Sequence, residues 1–203
     1  MEAILGHRSN AESAFLADLA RAYQMSEGSR WRRIADCLRS PGVHAVAVFR
    51  FGQWILEDAR WARLVLDPIY HLLNTLVHMA WGIEIPRRAT IGPGLYIGHF
   101  GTIIVAPDAV IGENCSLSQD VTIGISGRGA RRGVPLIGDN VYIAPGARLF
   151  GRIRIGHNVK IGANAVVNRD VPDNAILVLD PGFRIVSFKG NRDAGQAAQE
   201  WDL

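Results

Sequence analysis

The sequence predicts an all-β coil of short parallel strands, a hexapeptide-repeat β-helix, preceded by an N-terminal α-helical domain. Three observations carry that prediction. Aliphatic residues recur every six positions: Ile85, Ile91, Ile97, then Val105, Ile111, Leu117, Ile123, then Ile137, Ile143, Leu149, Ile155, Ile161 and Val167. The residue after each is often small, and a second apolar or small residue follows four past each anchor, as at Ala109, Cys115, Val121, Val159 and Ala165. Before Gly82 the period is helical instead. No helix repeats at six and a sheet strand alternates at two, so neither template fits the run. Six residues making one short strand and a turn do fit, with three such faces closing a triangular coil. Thirteen anchors with two interruptions exceed what an ordinary Ile/Val-rich β domain would keep.

The division expected is a helical domain over 1–82, the coil over 83–172 and a closing segment and tail over 173–203. In the first part, Ser9 and Glu12 make a capping box before an amphipathic run with Phe15, Leu19 and Tyr23. A second helix covers about 30–38 and stops at Pro41-Gly42, and a third runs from about Val43 to Glu57. Asp67-Pro68 offers an N-cap and first-turn proline for a last helix ending near Trp81-Gly82. Such helices cannot bury their apolar faces on a thin coil alone, so packing on each other and on other subunits is expected. After Pro172 the hexads fade, leaving a closing turn, a strand around Phe183, Ile185 and Phe188, and a tail from Gly190 with little to bury.

The formal charge of +3 suits an anionic cofactor and is too mild to argue for nucleic acid, for which no groove-reading or base-stacking motif is present. Cys37 and Cys115 lie far apart in different kinds of structure, which favours reduced thiols in a cytoplasmic protein. Cys115 sits at an inward hexad position and reads as a small buried hydrophobe. The N-terminus lacks the basic-then-apolar pattern of a signal peptide. Trp61 to Trp81 is the one membrane suspect, but Arg63, Asp67, Pro68, His71, Asn74 and His78 interrupt it. A buried helix is expected, with a peripheral membrane contact as the alternative.

The two interruptions of the repeat point to chemistry, because loops on a rigid scaffold carry it most often. Between Ile97 and Val105 the spacing is eight, and the extra residues fall beside His99. Between Ile123 and Ile137 it is fourteen, so a Gly/Arg-rich excursion over 125–134 leaves the coil. Of the six histidines, His44, His71 and His78 lie in helical segments and read as structural, and His157 as a solvated turn residue. No pair stands at a metal-ligand spacing with carboxylates converging, so no metal is expected. His99 differs. Glu84 lies fifteen residues earlier, slightly less than one coil, so stacking can bring its carboxylate near the imidazole. A carboxylate that fixes the tautomer makes histidine a general base. The alternative is that each simply faces solvent.

Ser40 to about Val186, roughly 145 of 203 residues, resembles bacterial serine O-acetyltransferases and related O-acetyltransferases of polysaccharide biosynthesis. The residues that carry this are Pro41-Gly42-Val43-His44-Ala45 with Arg50 and Trp54, then Glu84 through Ile91-Gly-Pro-Gly to Ile97-Gly-His99. Asp120-Val-Thr-Ile-Gly124, Ile161-Gly-Ala-Asn-Ala-Val-Val and Val171-Pro172 with Arg184-Ile-Val complete it. The resemblance implies a left-handed coil, an exception to right-handed crossovers, and a homotrimer or dimer of trimers with sites between subunits. It implies acetyl-CoA as donor, His99 as base, Glu84 as its orienter, and direct attack without an acyl-enzyme. Gly124 and the backbone N–H groups of Ile125 and Ser126 match positions that contact CoA and steady the thioester oxyanion. Pro145, Gly146, Lys160 and Ala163 lie where the cofactor arm follows the coils. Arg128, Arg131 and Arg132 either meet its phosphates or form a solvated basic loop.

Two departures bear on the acceptor. Serine-specific members have an acidic residue before the histidine, where this chain has Gly98, and an Arg-His pair where it has Gly133-Val134. Without those groups L-serine loses charge-assisted contacts, so a neutral acceptor such as a sugar hydroxyl is expected. L-Serine gripped by the helical domain is the alternative, and a non-catalytic scaffold is the rival from another class.

Overall fold

The computed structural model describes residues 11–129 and 132–179. The Ser9 cap, Arg131 and the segment expected beyond Leu179 lie outside them. Four helices come first: α1 (Ala11–Met25), α2 (Arg30–Arg39), α3 (Pro41–Glu57) and α4 (Arg63–Trp81). Fourteen strands of two or three residues follow, from β1 (Ile83–Glu84) to β14 (Ile176–Leu177). All pair in parallel, each with a strand one turn of the coil away. Three sheets result. The first is β1-β4-β7-β10-β13, the second β2-β5-β8-β11 and the third β3-β6-β9-β12-β14. This is a left-handed parallel β-helix. It continues past Pro172, where Val171 bridges Ile155 and β14 pairs with β12.

The period of six explains the geometry. Every one of the thirteen anchors is buried, and most of the second set, from Ala89 to Val171, is buried with them. Ile103, Leu117, Ile123, Ile143 and Leu149 stack rung on rung to fill the axis. Sharp corners need a left-handed residue, and Asn114, Asn140, Asn158 and Asn174 supply it at φ of 55 to 62° along one edge. The small residue after each anchor is required by approach distance. A Cβ on Gly138 would lie 2.9 Å from the carbonyl of Gly156 on the next rung. Corner carboxylates cap the ladder: Glu113 N–H donates to Asp139 (2.8 Å) and His157 N–H to Asp173 (2.9 Å).

The helices dock on the edge between the second and third sheets. Arg50 of α3 donates to Asp18 of α1 (2.8 Å) and to the carbonyls of Ile91 (2.8 Å) and Gly92 (2.7 Å). Asp18 in turn accepts the N–H of Leu95 at 2.7 Å. Both side chains are buried, so each charge has a partner in a dry setting. Burial pushes the Asp18 carboxyl upward, while Arg50 and the Leu95 N–H draw it back. Arg21 adds bonds to the carbonyls of Gly94 and Cys115 and to the Ser116 hydroxyl.

Two helix boundaries differ from expectation. Pro41-Gly42 ends α2 and also opens α3, with Ser40 capping Val43 N–H and proline in the first turn, where its missing N–H costs nothing. Asp67-Pro68 does not start the last helix. α4 begins at Arg63 and Pro68 lies inside it, because Asp67 is drawn to Arg87 (2.6 Å) and Arg63 (3.7 Å). Nor is α4 buried: Tyr70 and Val77 are, but Leu64, Val65, Leu72, Leu76 and Met79 stand in the open. No helix among the described residues is long and apolar enough to cross a membrane.

Cys115 is wholly buried, and burial pushes its thiol up to about 11. Cys37 is partly exposed. At pH 8 a thiol reagent is therefore expected to label one cysteine per native chain and two after denaturation. Two fast thiols in the native protein would contradict the packing of that rung.

Candidate active site

His99 occupies the corner between β3 (Tyr96–Ile97) and β4 (Ile103–Val105), residues 98–102. Corners one rung apart on this edge are 118–121, 144–147 and 162–165. The backbone stacks them: Asp120 N–H donates to Gly101 (2.7 Å), Gly146 N–H to Gln119 (3.1 Å) and Asn164 N–H to Pro145 (2.9 Å). His99 and Phe100 are the two extra residues, pushed outward while Gly101 (φ 118°) and Thr102 (φ 45°) turn the chain back. The imidazole is exposed. On the same edge stand Pro145, Gly146 and Ala163, with Lys160 outward on the adjoining third sheet.

The remaining expected residues are on another edge. Gly124 ends β7 (Thr122–Gly124), packed beneath the Phe150 ring, and the excursion leaves the edge between the first and second sheets. Ile125 and Arg128 are exposed there. Ser126 is not the donor expected of it. Its N–H gives a bond to Gly133 (3.1 Å), and Gly133 N–H returns one (3.0 Å), so an antiparallel bridge pinches the base of the loop and spends that group. Within one chain, then, the described residues of the loop leave a different edge from the one that carries His99.

Glu84 also departs from expectation. It is half-buried on β1, and no hydrogen bond or ion pair joins it to His99. Its Oε2 lies 3.9 Å from Nδ1 of His78. The cause is Gly82, which caps α4 in a left-handed turn (φ 64°) and folds the last helical turn back over β1. His78, structural on sequence grounds, is the carboxylate's partner. His44 does read as structural: its Nε2 is 2.8 Å from the Leu38 carbonyl and its ring 5.2 Å from that of Trp81. His157 takes the Asp139 N–H on Nδ1 (3.0 Å) in the corner ladder. Among the described residues no three His, Cys, Asp or Glu side chains converge as a metal site would need.

One group at this edge has no counterpart in the sequence reading. Gln119 follows the buried Ser118, on the rung beside the His99 corner, and its Oε1 is buried without a hydrogen-bond donor. The sequence signal was slight: a lone amide among the small and turn-forming residues of that corner.

Residues 135–169 match the family described as bacterial transferase hexapeptide (six repeats). The serine acetyltransferase of Synechococcus elongatus is 35% identical over 152 residues, 75% of this chain and 59% of that protein. The crystal structure of Neisseria gonorrhoeae serine acetyltransferase superposes with a TM-score of 0.70 at 32% identity, over 89% of this chain and 69% of that one. The chain belongs to the serine acetyltransferase family. A further member of the family, a serine acetyltransferase solved in complex with CoA, gives a TM-score of 0.68 at 25% identity, covering 89% of this chain and 72% of that one. This serine acetyltransferase homologue spans about three fifths of the length of the Synechococcus relative.

Residues 125–129 and Arg132 of the arginine-bearing excursion are exposed, and trypsin is expected to cut after Arg128 or Arg132 before any strand. Acetyl-CoA should slow that cut where the cofactor lies along the loop. Equal rates with and without acetyl-CoA would remove the loop from the cofactor site.

Proposed function

We propose that this chain transfers the acetyl group of acetyl-CoA to a hydroxyl of a small acceptor, with His99 as general base. The observation that carries this is the placement of His99 at the widened corner, on one edge with Pro145, Gly146 and Ala163. His99 takes the proton from the acceptor hydroxyl as its oxygen attacks the thioester carbonyl. The C–S bond then breaks, and His99 returns the proton to the departing thiolate. Since Ser126 N–H is committed to Gly133, the oxyanion contact falls to the neighbouring N–H of Ile125. Glu84, half-exposed and 3.9 Å from His78, is the carboxylate proposed to orient His99.

L-Serine is the acceptor that the relatives' name supports. A second reading, an uncharged hydroxyl such as that of a sugar, is favoured by the residues beside the base. Gly98 brings no charge next to His99, and Gly133 has no room for a side chain, since a Cβ there would lie 2.9 Å from Cβ of Arg152. A CoA-release assay over serine and a panel of sugars separates the two. Saturable turnover of serine at millimolar concentration supports the first, and turnover of sugars alone the second. His99→Ala is expected to lower kcat by roughly 100- to 10,000-fold while leaving the assembly intact. Unchanged turnover would remove the base, and no turnover with any acceptor would favour a scaffold.

We also propose that the protein works as an oligomer of this chain and that α4 is one of its contact faces. Val65, Ile69, Leu72, Leu76 and Met79 follow a four-three spacing along the exposed side of α4, the seam by which helices pair. With Trp61 and Leu64 they leave on the order of 800 Å² of apolar surface open, the share each partner buries in a stable dimer. A helix lying on a membrane carries Lys or Arg along its polar face, and α4 has none after Arg63. A second copy therefore fits better than lipid. The double substitution Leu72→Glu, Leu76→Glu should give a lighter assembly by sedimentation with unchanged helix content. An unchanged mass, or binding of the wild type to phosphatidylglycerol vesicles through this face, would contradict it.

A further inference from the structure

We propose that α2 (Arg30–Arg39) is a membrane-contact helix. It lays Trp31 and Leu38 into the headgroup layer of an anionic lipid surface and sets Arg30, Arg32 and Arg39 on the phosphates. No residue of the acetyl-transfer site takes part. α2 holds four arginines and one aspartate, a formal charge of +3. The whole chain has the same +3, so the residues outside α2 balance to zero. No residue of this helix is buried. A net charge gathered on ten residues of open surface draws a partner of opposite sign.

The spacing gives that charge a shape. At about 100° per residue, Trp31 and Leu38 fall on one line along the helix, with Ala35 between them. Trp31 is 78% exposed and Leu38 71%. Arg30 borders this strip on one side, and Arg32 and Arg39 border it on the other. All three are exposed, and no ion pair among the described residues engages them. Asp36 lies about 140° round the helix from Trp31, clear of the strip. Glu27, the nearest other acid in the sequence, stands before the helix. The opposite side is committed to the protein. Arg33 stands 5.4 Å over the Tyr23 ring of α1, and its Nε donates to the Gly28 carbonyl (3.1 Å). A helix fastened along one side cannot be enclosed by a partner's groove; it is laid on a surface. A polyanion such as RNA would take up the arginines and leave Trp31 and Leu38 in water. A second copy set helix to helix would oppose one positive charge with another. An apolar strip with cationic borders is what an interfacial helix presents. The indole sits at headgroup level and the arginine stems reach up to the phosphates.

Sedimentation of the whole chain with vesicles tests this. Binding is expected to vesicles of mixed phosphatidylglycerol and phosphatidylcholine, not to phosphatidylcholine alone, and should be lost at about 0.5 M salt. A chain carrying Arg30→Gln, Arg32→Gln and Arg39→Gln together should bind roughly 100-fold more weakly, about fivefold for each arginine near an anionic surface. Trp31→Gln should weaken binding by about tenfold and leave its salt dependence as it was. The altered side chains are exposed, so both variants should keep the wild-type Tm and assembly mass. A wild-type chain that ignores the phosphatidylglycerol vesicles overturns the proposal. So does binding that survives in the triple variant, which would put the lipid contact on another face. A lighter assembly in Trp31→Gln would make α2 a subunit contact instead. Tighter retention on single-stranded RNA than on vesicles, lost in the triple variant, would make it a polyanion site. Either result overturns the proposal as well.

Discussion

The repeat of six with its inward aliphatic residue is the constraint on which the rest of the molecule depends. Burying Ile91, Ile111, Ile137 and Ile155 in one column, with two matching columns beside it, leaves each rung no freedom to slip against the next. A slip by one residue would turn every anchor outward. Corners therefore recur at fixed positions along three edges, and a residue placed at a corner keeps its address to within the tolerance of a packed core. That rigidity lets a two-residue insertion push His99 out of the stack without disturbing the strands on either side. It also lets the 125–134 excursion grow from a neighbouring edge while β7 and β8 (Leu136–Ile137) stay in register with β10 and β5.

The helices are fastened to this spiral by charge as much as by apolar contact. Asp18, Arg21 and Arg50 bond backbone groups of the first rung, at Ile91, Gly92, Gly94 and Leu95, at the end of an open stack. Gly42 permits the closest approach, for any side chain there would collide with the Ile97 carbonyl, two residues before His99. The start of α3 thus braces β3, the strand that leads into His99. α4, by contrast, touches the coil through Asp67 and Tyr70 at Arg87, through Val77 and through the turn at Gly82, and leaves its long apolar side for something outside the single chain.

How much of this was legible in the sequence follows from the range of each interaction. The anchors, the burial of Cys115 and the position of the His99 corner depend on a repeat that one can count. Asp67-Pro68 carries a local capping signature, but α4 starts earlier because the carboxylate is claimed by Arg87, twenty residues on and across the first rung. The bridge that takes the Ser126 N–H is illegible in the sequence, because an antiparallel pairing with Gly133 has no mark in composition. Glu84 and His99 stand at the right separation, but the left-handed cap at Gly82 brings His78 to the carboxylate. Gln119 could not be singled out at all, since an unmet acceptor is a property of packing. The departures at Gly98 and Gly133 were readable, yet what they mean for the acceptor depends on what surrounds them. Relatives named for serine now weigh on the other side.

With His99, the proposed base, on one edge and the loop on the next, the proposed site is completed by two copies of the chain. Mixing two inactive chains tests this directly: one carrying His99→Ala with its loop intact, the other keeping His99 but with 126–133 replaced by a two-residue link. Refolded together in equal amounts, they should regain about a quarter of the wild-type turnover, the share of random subunit junctions that unite an intact corner with an intact loop. A mixture as inactive as its two components, in assemblies of wild-type mass, would show that base and loop act within one chain and contradict the account.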